Sequence, residues 1–188
     1  IYTSTAVAIA PNMILTAAHS VDCLTSARVY LGDDYGQRSD DQFIDVKRVS
    51  IHPGYNPSKS FYENDVAIVF LIRNLPSDIN LEVLSNLEIK IGDKLERIGF
   101  GGRIKKNLKT WTNPIFKGQT FNKKNFILED NKSVIGDSGG PVFFEDNGVK
   151  KLLGIHSTLE GESKTYIVNL SHYSDWISNF LYSSSMQR

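Results

Sequence analysis

Short apolar segments with β-branched and aromatic residues recur along the chain, and turn-forming residues separate them. Typical turn sequences are Pro53-Gly54, Asn56-Pro57 and Gly101-Gly102. Gly and Pro at such points end a strand and allow the chain to reverse. Many short strands at this spacing are typical of an all-β sandwich or a pair of β-barrels. The segments predicted as strands are residues 6–9, 13–17, 27–31, 43–51, 66–72, 94–99, 126–129, 140–144, 151–157 and 164–169.

The end of the chain has a different period. Within residues 171–182 the apolar side chains recur at helical spacing, which predicts an amphipathic helix with Ser171 as its N-cap. These side chains are Tyr173, Trp176, Ile177, Phe180 and Leu181. Residues 74–91 have little strand character and contain Pro76 and Asp78, so we interpret them as a linker between two halves.

Composition excludes several classes of protein. Across 188 residues, 21 Lys and Arg balance 21 Asp and Glu, so no net charge favours nucleic acid or an anionic membrane. No segment approaches the roughly 18 consecutive apolar residues of a membrane-spanning helix. The single cysteine, Cys23, excludes an intrachain disulfide and a cysteine metal cluster, and we expect a free thiol.

Three motifs carry residue types used in acyl transfer. Thr16-Ala17-Ala18-His19 follows a predicted strand, Asn64-Asp65 opens another, and Gly136-Asp137-Ser138-Gly139-Gly140-Pro141 precedes a third. A serine hydroxyl becomes a good nucleophile when a base lies within hydrogen-bond distance, and a histidine oriented by a carboxylate is such a base. The chain order His, Asp, Ser differs from the Ser, Asp, His order of α/β-hydrolases, which disfavours an esterase of that fold.

In this order the motifs resemble those of the chymotrypsin/trypsin family of serine proteases. The resemblance extends to residues 51–56, 153–157 and 175–177, so it covers most of the chain. Residues 51–56 are similar to the segment before the catalytic aspartate of the family. Residues 153–157 resemble the strand that lines its specificity pocket, and residues 175–177 the start of its terminal helix.

The resemblance implies a fold of two six-stranded antiparallel β-barrels with a C-terminal α-helix. The N-terminal barrel would comprise residues 1–80 and the C-terminal barrel residues 81–188, with the helix at about 171–182. The first barrel would carry His19 and Asp65. The second would carry the serine of the third motif, so the site would lie between the barrels.

The same resemblance implies a serine endopeptidase that works through an acyl-enzyme, with His19, Asp65 and Ser138 as catalytic residues. The backbone N–H groups of Gly136 and Ser138 would form the oxyanion hole. We expect protein or peptide substrates, no cofactor, a monomer and secretion from the cell. The alternatives are a catalytically silent or zymogen-like fold that acts as a binding module, and an active protease with a small apolar P1 preference.

Residues near the base of the substrate pocket favour an acidic P1 side chain. Lys132 stands where trypsin-like enzymes carry the aspartate that pairs with substrate Arg or Lys. Ser133 and His156 resemble pocket residues of the glutamyl endopeptidases, so we predict cleavage after Glu or Asp, strengthened by a protonated His156. We also assign three following residues to the pocket, Ser157, Thr158 and Leu159. If Lys132 instead points outward and His156 is a core residue, the pocket would be small and apolar.

The residue before the catalytic serine bears on activation. In the family, an aspartate at this position, here Asp137, pairs with a freed N-terminal Ile or Val. Ile1 has the right identity but lies only 18 residues before His19, too few for the first strand of the family. We expect either that residues precede Ile1 or that the first barrel is incomplete. The partner of Asp137 stays open between an upstream amine, a Lys or Arg side chain and none, which would leave the oxyanion loop disordered.

An acidic stretch resembles the calcium loop of trypsins. Asp33 and Asp41 occupy positions at which that loop has acidic ligands, and calcium prefers clustered oxygen ligands. Arg38 and the short aspartate side chains weaken the case. We therefore predict a solvated acidic loop and no metal.

Overall fold

The structure is a computed structural model that describes residues 2–59, 62–102 and 109–185. Its first sheet joins five antiparallel strands within this part of the chain, in the order β1-β2-β5-β4-β3. The strands are β1 (Val7–Ala10), β2 (Met13–Thr16), β3 (Arg28–Tyr30), β4 (Phe43–Ile51) and β5 (Ala67–Leu71). Strands β2 and β5 are buried at every residue, because apolar side chains occupy both of their faces.

The second sheet joins seven described strands. They are β6 (Glu96–Gly99), β7 (Thr110–Thr112), β8 (Ile115–Gln119), β9 (Asn125–Glu129), β10 (Pro141–Asp146), β11 (Val149–Glu160) and β12 (Lys164–Asn169). Their order is β7-β6-β10-β11-β12-β9-β8, again antiparallel throughout. The two curled sheets form half-barrels, which confirms the expected chymotrypsin-like all-β fold with a C-terminal helix.

The numbers of strands differ from the expected six and six. The sequence pattern did not predict strands β7 and β8. These are the two edge strands of the second sheet. Thr110–Thr112 is mostly exposed, and Ile115–Gln119 buries only Phe116 fully. An edge strand with one solvated face has few apolar positions, so its residues resemble a loop.

The core joins the two sheets to the terminal helix. One cluster of buried side chains combines Met13, Leu15 and Ile68 of the first sheet with Leu152 and Ile155 of the second. The helix α1 (Ser174–Ser185) adds Ile177 to this cluster and packs Trp176, Phe180 and Leu181 against it, as the periodicity predicted. Each fully buried aliphatic side chain contributes about 1.5–3 kcal/mol to folding.

The start of the helix differs from the prediction of Ser171 as N-cap. Asn169 ends β12, and its Oδ1 accepts a hydrogen bond from the Ser171 amide. The chain then makes a 3-10 turn, Leu170–Tyr173, before α1 begins at Ser174. An Asn side chain readily bonds the amide two residues later, so the cap lies earlier than predicted.

Residues 74–91, interpreted as a linker, contain turns and one isolated bridge between Leu84 and Leu152. The amide of Glu82 donates to the Ala8 carbonyl of the first sheet, and that of Ser85 donates to the Leu152 carbonyl of the second. The segment therefore bonds to both sheets. No helix among the described residues is both long and apolar enough to cross a membrane.

Candidate functional site

The first sheet brings His19 and Asp65 together. Buried strand β2 leads through Ala17 into a 3-10 turn, Ala18–Ser20, which leaves the His19 ring partly exposed at the strand end. Antiparallel pairing places Thr16 opposite Ala67 at the start of β5. The residue two before that strand start, Asp65, is therefore adjacent to the histidine, and it is fully buried.

The three side chains predicted for catalysis form a continuous chain of hydrogen bonds. His19 Nδ1 lies 2.7 Å from Asp65 Oδ2, and the His19 amide donates to Asp65 Oδ1 at 2.8 Å. On the other side of the ring, His19 Nε2 lies 2.9 Å from Ser138 Oγ. Because the carboxylate binds both the ring and the backbone of His19, the orientation of the imidazole is fixed.

Ser157, which we assigned to the substrate pocket, also contacts Asp65. Its hydroxyl donates to Asp65 Oδ2 at 2.6 Å, so the side chain supports the carboxylate. Its carbonyl oxygen lies 3.4 Å from Ser138 Oγ. A buried carboxylate requires several donors, and Ser157 supplies one that the sequence pattern did not indicate.

Asn64, the residue before Asp65, forms hydrogen bonds to two residues of the second half of the chain. Its backbone has φ of 54°, and its Oδ1 accepts from Lys124 Nζ at 3.0 Å and from the Tyr173 hydroxyl at 3.1 Å. Burial, with the nearby Glu63 and Asp65 charges, raises the pKa of Tyr173 well above its usual value. The tyrosine therefore stays protonated and donates.

The loop around Ser138 depends on glycine at two positions. Gly136 has φ of 102° and Gly139 has φ of 81°, values that other residues adopt only with strain. A Cβ on Gly139 would also collide with Thr16 Oγ1 and the Thr5 carbonyl. The GDSGG sequence is thus required by the shape of the loop.

Carbonyl groups of this loop are held by the start of the chain, which the sequence reasoning missed. The Thr5 hydroxyl donates to the Gly136 carbonyl at 2.8 Å, and the Thr5 amide donates to the Ser138 carbonyl at 2.9 Å. Ser4 Oγ also donates to the Ser138 carbonyl, at 2.6 Å. The amides of Gly136 and Ser138 have no acceptor among the described residues, so both predicted oxyanion donors are available.

Asp137 has a side-chain partner, Arg97. Arg97 Nη1 lies 2.7 Å from Asp137 Oδ2, and Arg97 Nε donates to Asp130 Oδ2 at 2.6 Å. Of the three possible partners of Asp137, namely an upstream amine, a Lys or Arg side chain and none, the structure contains an arginine side chain. Ile1, the residue considered for the amine, lies outside the described residues. Arg97 in β6 follows Leu95 by two residues, so both side chains lie on the same buried face.

Ser133 and His156, predicted to form the pocket base, are in contact. Ser133 Oγ lies 2.6 Å from His156 Nε2, while Nδ1 has no partner among the described residues. Burial, and secondarily the Arg97 charge, lowers the pKa of His156 to about 3. The ring of the free protein is therefore neutral at pH 7.

The other predicted pocket residues differ in exposure. The Lys132 side chain is exposed, and its amide donates to Asp130 Oδ1 at 3.0 Å. Thr158 Oγ1 is buried without a hydrogen-bond partner among the described residues. Leu159 is 43% exposed. The exposed Lys132 and the buried His156 meet the conditions stated above for a small apolar pocket, whereas the contact between Ser133 and His156 provides a polar pair.

The acidic loop does not assemble a metal site in the described residues. Asp33 lies 3.1 Å from Lys109 Nζ, and Asp41 Oδ1 accepts from Ser39 Oγ at 2.5 Å. Within the described ranges there is no group of three His, Cys, Asp or Glu side chains that would hold a metal ion. Cys23 is an exposed free thiol, and the hydrogen bond that it donates to the adjacent Asp22 raises its pKa.

The buried His156 predicts a dependence of stability on pH. The folded protein holds the pKa of this ring at about 3, whereas its usual value is 6.5, so the unfolded chain binds more protons between these values. The contribution of the His156 ring to the free energy of unfolding is therefore highest above pH 6.5. Below that pH it falls by up to about 1.4 kcal/mol per pH unit. The free energy of unfolding, measured by urea titration at each pH, should fall more steeply from pH 7 to pH 5 for the wild type than for His156→Gln. Equal slopes would contradict a buried neutral ring.

Comparisons with known proteins agree with this geometry. The model of the family described as Trypsin matches residues 1–177. Chymotrypsin-like elastase family member 1 of Bos taurus is 24% identical over 201 residues, which cover 91% of this chain and 76% of that protein. The human protein of the same name is 25% identical over 92% of this chain and 79% of its own length. Trypsin zeta of Drosophila erecta is 38% identical over 79 residues, 41% of this chain and 25% of that protein.

Proposed function

The chain belongs to the trypsin family of serine proteases, and we propose that it is an active endopeptidase that cleaves after acidic residues. The observation that supports activity most directly is the hydrogen-bond chain from Asp65 through His19 to Ser138, with links of 2.7 and 2.9 Å. Proteins that use this fold only for binding have no need of all three groups in contact. Here the glycines that shape the serine loop are also present.

Ser138 acts as the nucleophile of the proposed reaction. Its Oγ attacks the carbonyl carbon of the scissile bond while His19 Nε2 takes the hydroxyl proton. Asp65 keeps the other ring proton on Nδ1 and stabilises the imidazolium that forms. The amides of Gly136 and Ser138 donate to the oxyanion, and each such donor supplies about 3–4 kcal/mol of barrier reduction.

Collapse of this intermediate completes acylation. His19 gives its proton to the leaving amine, the C–N bond breaks, and the substrate acyl group remains on Ser138 Oγ as an ester. A water molecule then attacks the ester with His19 again as base, which releases the carboxylic acid and restores the serine. Each proton returns to its starting position, so the cycle requires no cofactor.

The proposed acidic preference is supported by the polar pair at the pocket base. With its proton on Nε2, neutral His156 donates to Ser133 Oγ over the 2.6 Å contact, and the Ser133 hydroxyl is free to donate to a substrate carboxylate. A carboxylate in a partly desolvated pocket needs such donors. Recognition through a neutral ring predicts a Glu-to-Ala preference that stays constant between pH 6 and 9.

Matched peptides that differ only at P1 test this proposal. We expect the highest kcat/KM for Glu and lower values for Gln, Ala and Arg. Ser133→Ala should reduce the Glu-to-Ala ratio by about 10-fold or more, because a hydrogen bond to a charged group contributes about 1.5–3 kcal/mol. Lys132→Met, at the adjacent exposed position, should change the ratio by less than about threefold.

The other outcomes are equally specific. The highest rate with the Ala peptide, and no effect of Ser133→Ala, would establish the small apolar pocket in which Leu159 restricts the entrance. The highest rate with Arg would overturn the interpretation of Lys132. Absence of any cleavage would favour a binding module.

We also propose that the protein is secreted and monomeric, as the family resemblance implies. Its protein substrates would then lie outside the cell that makes it. Fractionation of the producing cells and size-exclusion chromatography of the purified chain test these two points. Recovery in the cytoplasm, or elution as a dimer, would contradict them.

A further inference from the structure

Arg97 is buried directly beneath the candidate site. Its side chain is 1% exposed, whereas the other arginines in the described ranges are exposed. A buried guanidinium is costly unless carboxylates pair with it. Arg97 has two such partners, Asp130 Oδ2 at 2.6 Å from Nε and Asp137 Oδ2 at 2.7 Å from Nη1, and both are buried.

The two carboxylates stand at the ends of one loop, residues 130–137. Asp130 Oδ1 accepts from the Lys132 amide at 3.0 Å, at the beginning of the loop. Asp137 Oδ2 accepts from the Val134 amide at 3.0 Å, near its end. Between them lie the pocket residue Ser133 and the oxyanion donor Gly136, so one guanidinium holds both ends of the loop that carries them.

The surroundings of Asp137 are built for this pair. Its Oδ1 accepts from the Gly101 amide at 2.9 Å, so both carboxylate oxygens are occupied by groups of the described chain. Gly99 provides the space, because a Cβ there would collide with the Asp137 carboxylate and approach Arg97 Nη1 to 3.1 Å. A free α-amino group is therefore not needed to neutralise Asp137.

Resting on the proposed protease function, we propose that Arg97 is a positioning residue that holds the oxyanion amides and the pocket base in their active geometry. Catalysis then does not depend on a freed N-terminal amine. The resemblance to trypsin-like enzymes alone implies the opposite.

The pH dependence of activity distinguishes the Arg97 guanidinium from an N-terminal amine as the cation that holds Asp137. A guanidinium keeps its charge above pH 12, whereas an α-amine loses its proton near pH 8 and a lysine near pH 10.4. The charged and titratable groups around Arg97 are Asp130, Asp137 and His156, and the pKa of His156 is held at about 3, far below the range of pH 8 to 11. A loop held by arginine should therefore keep its geometry throughout that range.

The test measures kcat and KM from pH 8 to 11 on a peptide whose only titratable group is its P1 glutamate, with circular dichroism at each pH. We expect kcat of the wild type to stay within about twofold. Arg97→Lys should have about 10-fold lower kcat at pH 8 and lose at least another 10-fold as the lysine deprotonates toward pH 11. Arg38→Lys, at an exposed arginine, should match the wild type.

Two further measurements keep the inference testable if a variant folds poorly. Gly99→Ala keeps the arginine side chain but displaces the Asp137 carboxylate, and it should lower kcat about 100-fold, as expected for an oxyanion donor out of position. Acetylation of the α-amino group of the wild type should leave kcat within about twofold.

The results that overturn the inference are clear. A wild type whose kcat falls between pH 8 and 10, or after α-amine acetylation, would show that an amine holds the loop. An Arg97→Lys variant with the pH profile of the wild type would remove the role of the guanidinium. Failure of the proposed function is distinct, because the folded wild type would then hydrolyse the peptide at no pH, and both proposals would fall together.

Discussion

Replacing Ser138 by alanine should abolish peptide hydrolysis. Knocking out the nucleophile of a Ser-His-Asp protease lowers kcat on the order of 10⁶-fold, because no other group at the site can form the acyl-enzyme. In this protein the hydroxyl lies 2.9 Å from His19 Nε2, and its removal leaves the ring with no serine proton to accept. Digestion of a peptide library by both proteins, followed by mass spectrometry, measures the loss.

The fold should tolerate this change. Only one hydroxyl is removed, and the backbone of Ser138 keeps its bonds from Thr5 and Ser4. Loss of one side-chain hydrogen bond costs about 0.5–1.5 kcal/mol, so the melting temperature should shift by no more than about 5 °C. Cleavage by folded Ser138→Ala at a rate near that of the wild type would show that another residue performs the reaction.

Replacing Asp65 by asparagine should lower kcat about 10⁴-fold. Asparagine preserves the shape and can still accept from the His19 amide, but its NH₂ group faces Nδ1. The ring would then carry its proton on Nε2, where it cannot accept the proton of Ser138. Stopped-flow and steady-state kinetics on the preferred peptide measure this effect on kcat, which should exceed any change in KM.

Ser157→Ala provides the matched control for this prediction. It removes one donor at 2.6 Å from Asp65 Oδ2 and leaves the charge and both histidine contacts in place. We expect a decrease of about 10-fold in kcat, since about 1.4 kcal/mol corresponds to a factor of ten. Equal losses for Asp65→Asn and Ser157→Ala would contradict the assignment of tautomer control to the carboxylate.

Sequence patterns predicted the central part of the fold well, for a physical reason. The buried strand β5 is a continuous apolar run bounded by turn residues, and the helix buries a periodic apolar face. Solvated edge strands give no such pattern, which is why β7 and β8 were missed. The helix start was displaced because Asn169 Oδ1 accepts from both the amide and the hydroxyl of Ser171, which places Ser171 inside a 3-10 turn.

At the site, local motifs indicated the residues that the structure brings into contact, but not what surrounds them. His19, Asp65 and Ser138 each lie in a short motif that can be recognised in the sequence. The supporting contacts of Ser4, Thr5 and Ser157 depend on residues distant in the chain, which one sequence does not connect. Similarly, the neutrality of His156 follows from burial and from a nearby charge, and neither can be read from its neighbours in sequence.

The role of Arg97 could be predicted only in part from the sequence. Its place on the inward face of β6 follows from strand alternation, and a buried arginine predicts carboxylate partners. Which carboxylates pair with it depends on how loop 130–137 returns to the sheet. A search for charged residues at inward positions of predicted strands would have identified Arg97 as a candidate.

The most direct test of the account is covalent labelling of the active serine. A peptidyl phosphonate that carries the P1 residue preferred in the matched-peptide series reacts only with a serine that an adjacent base activates, and mass spectrometry locates the adduct. We predict one adduct per chain, on Ser138, with labelling lost in His19→Ala although Ser138 is intact. An unlabelled folded wild type, or an adduct on another residue, would contradict the claim that His19, Asp65 and Ser138 form a working catalytic site.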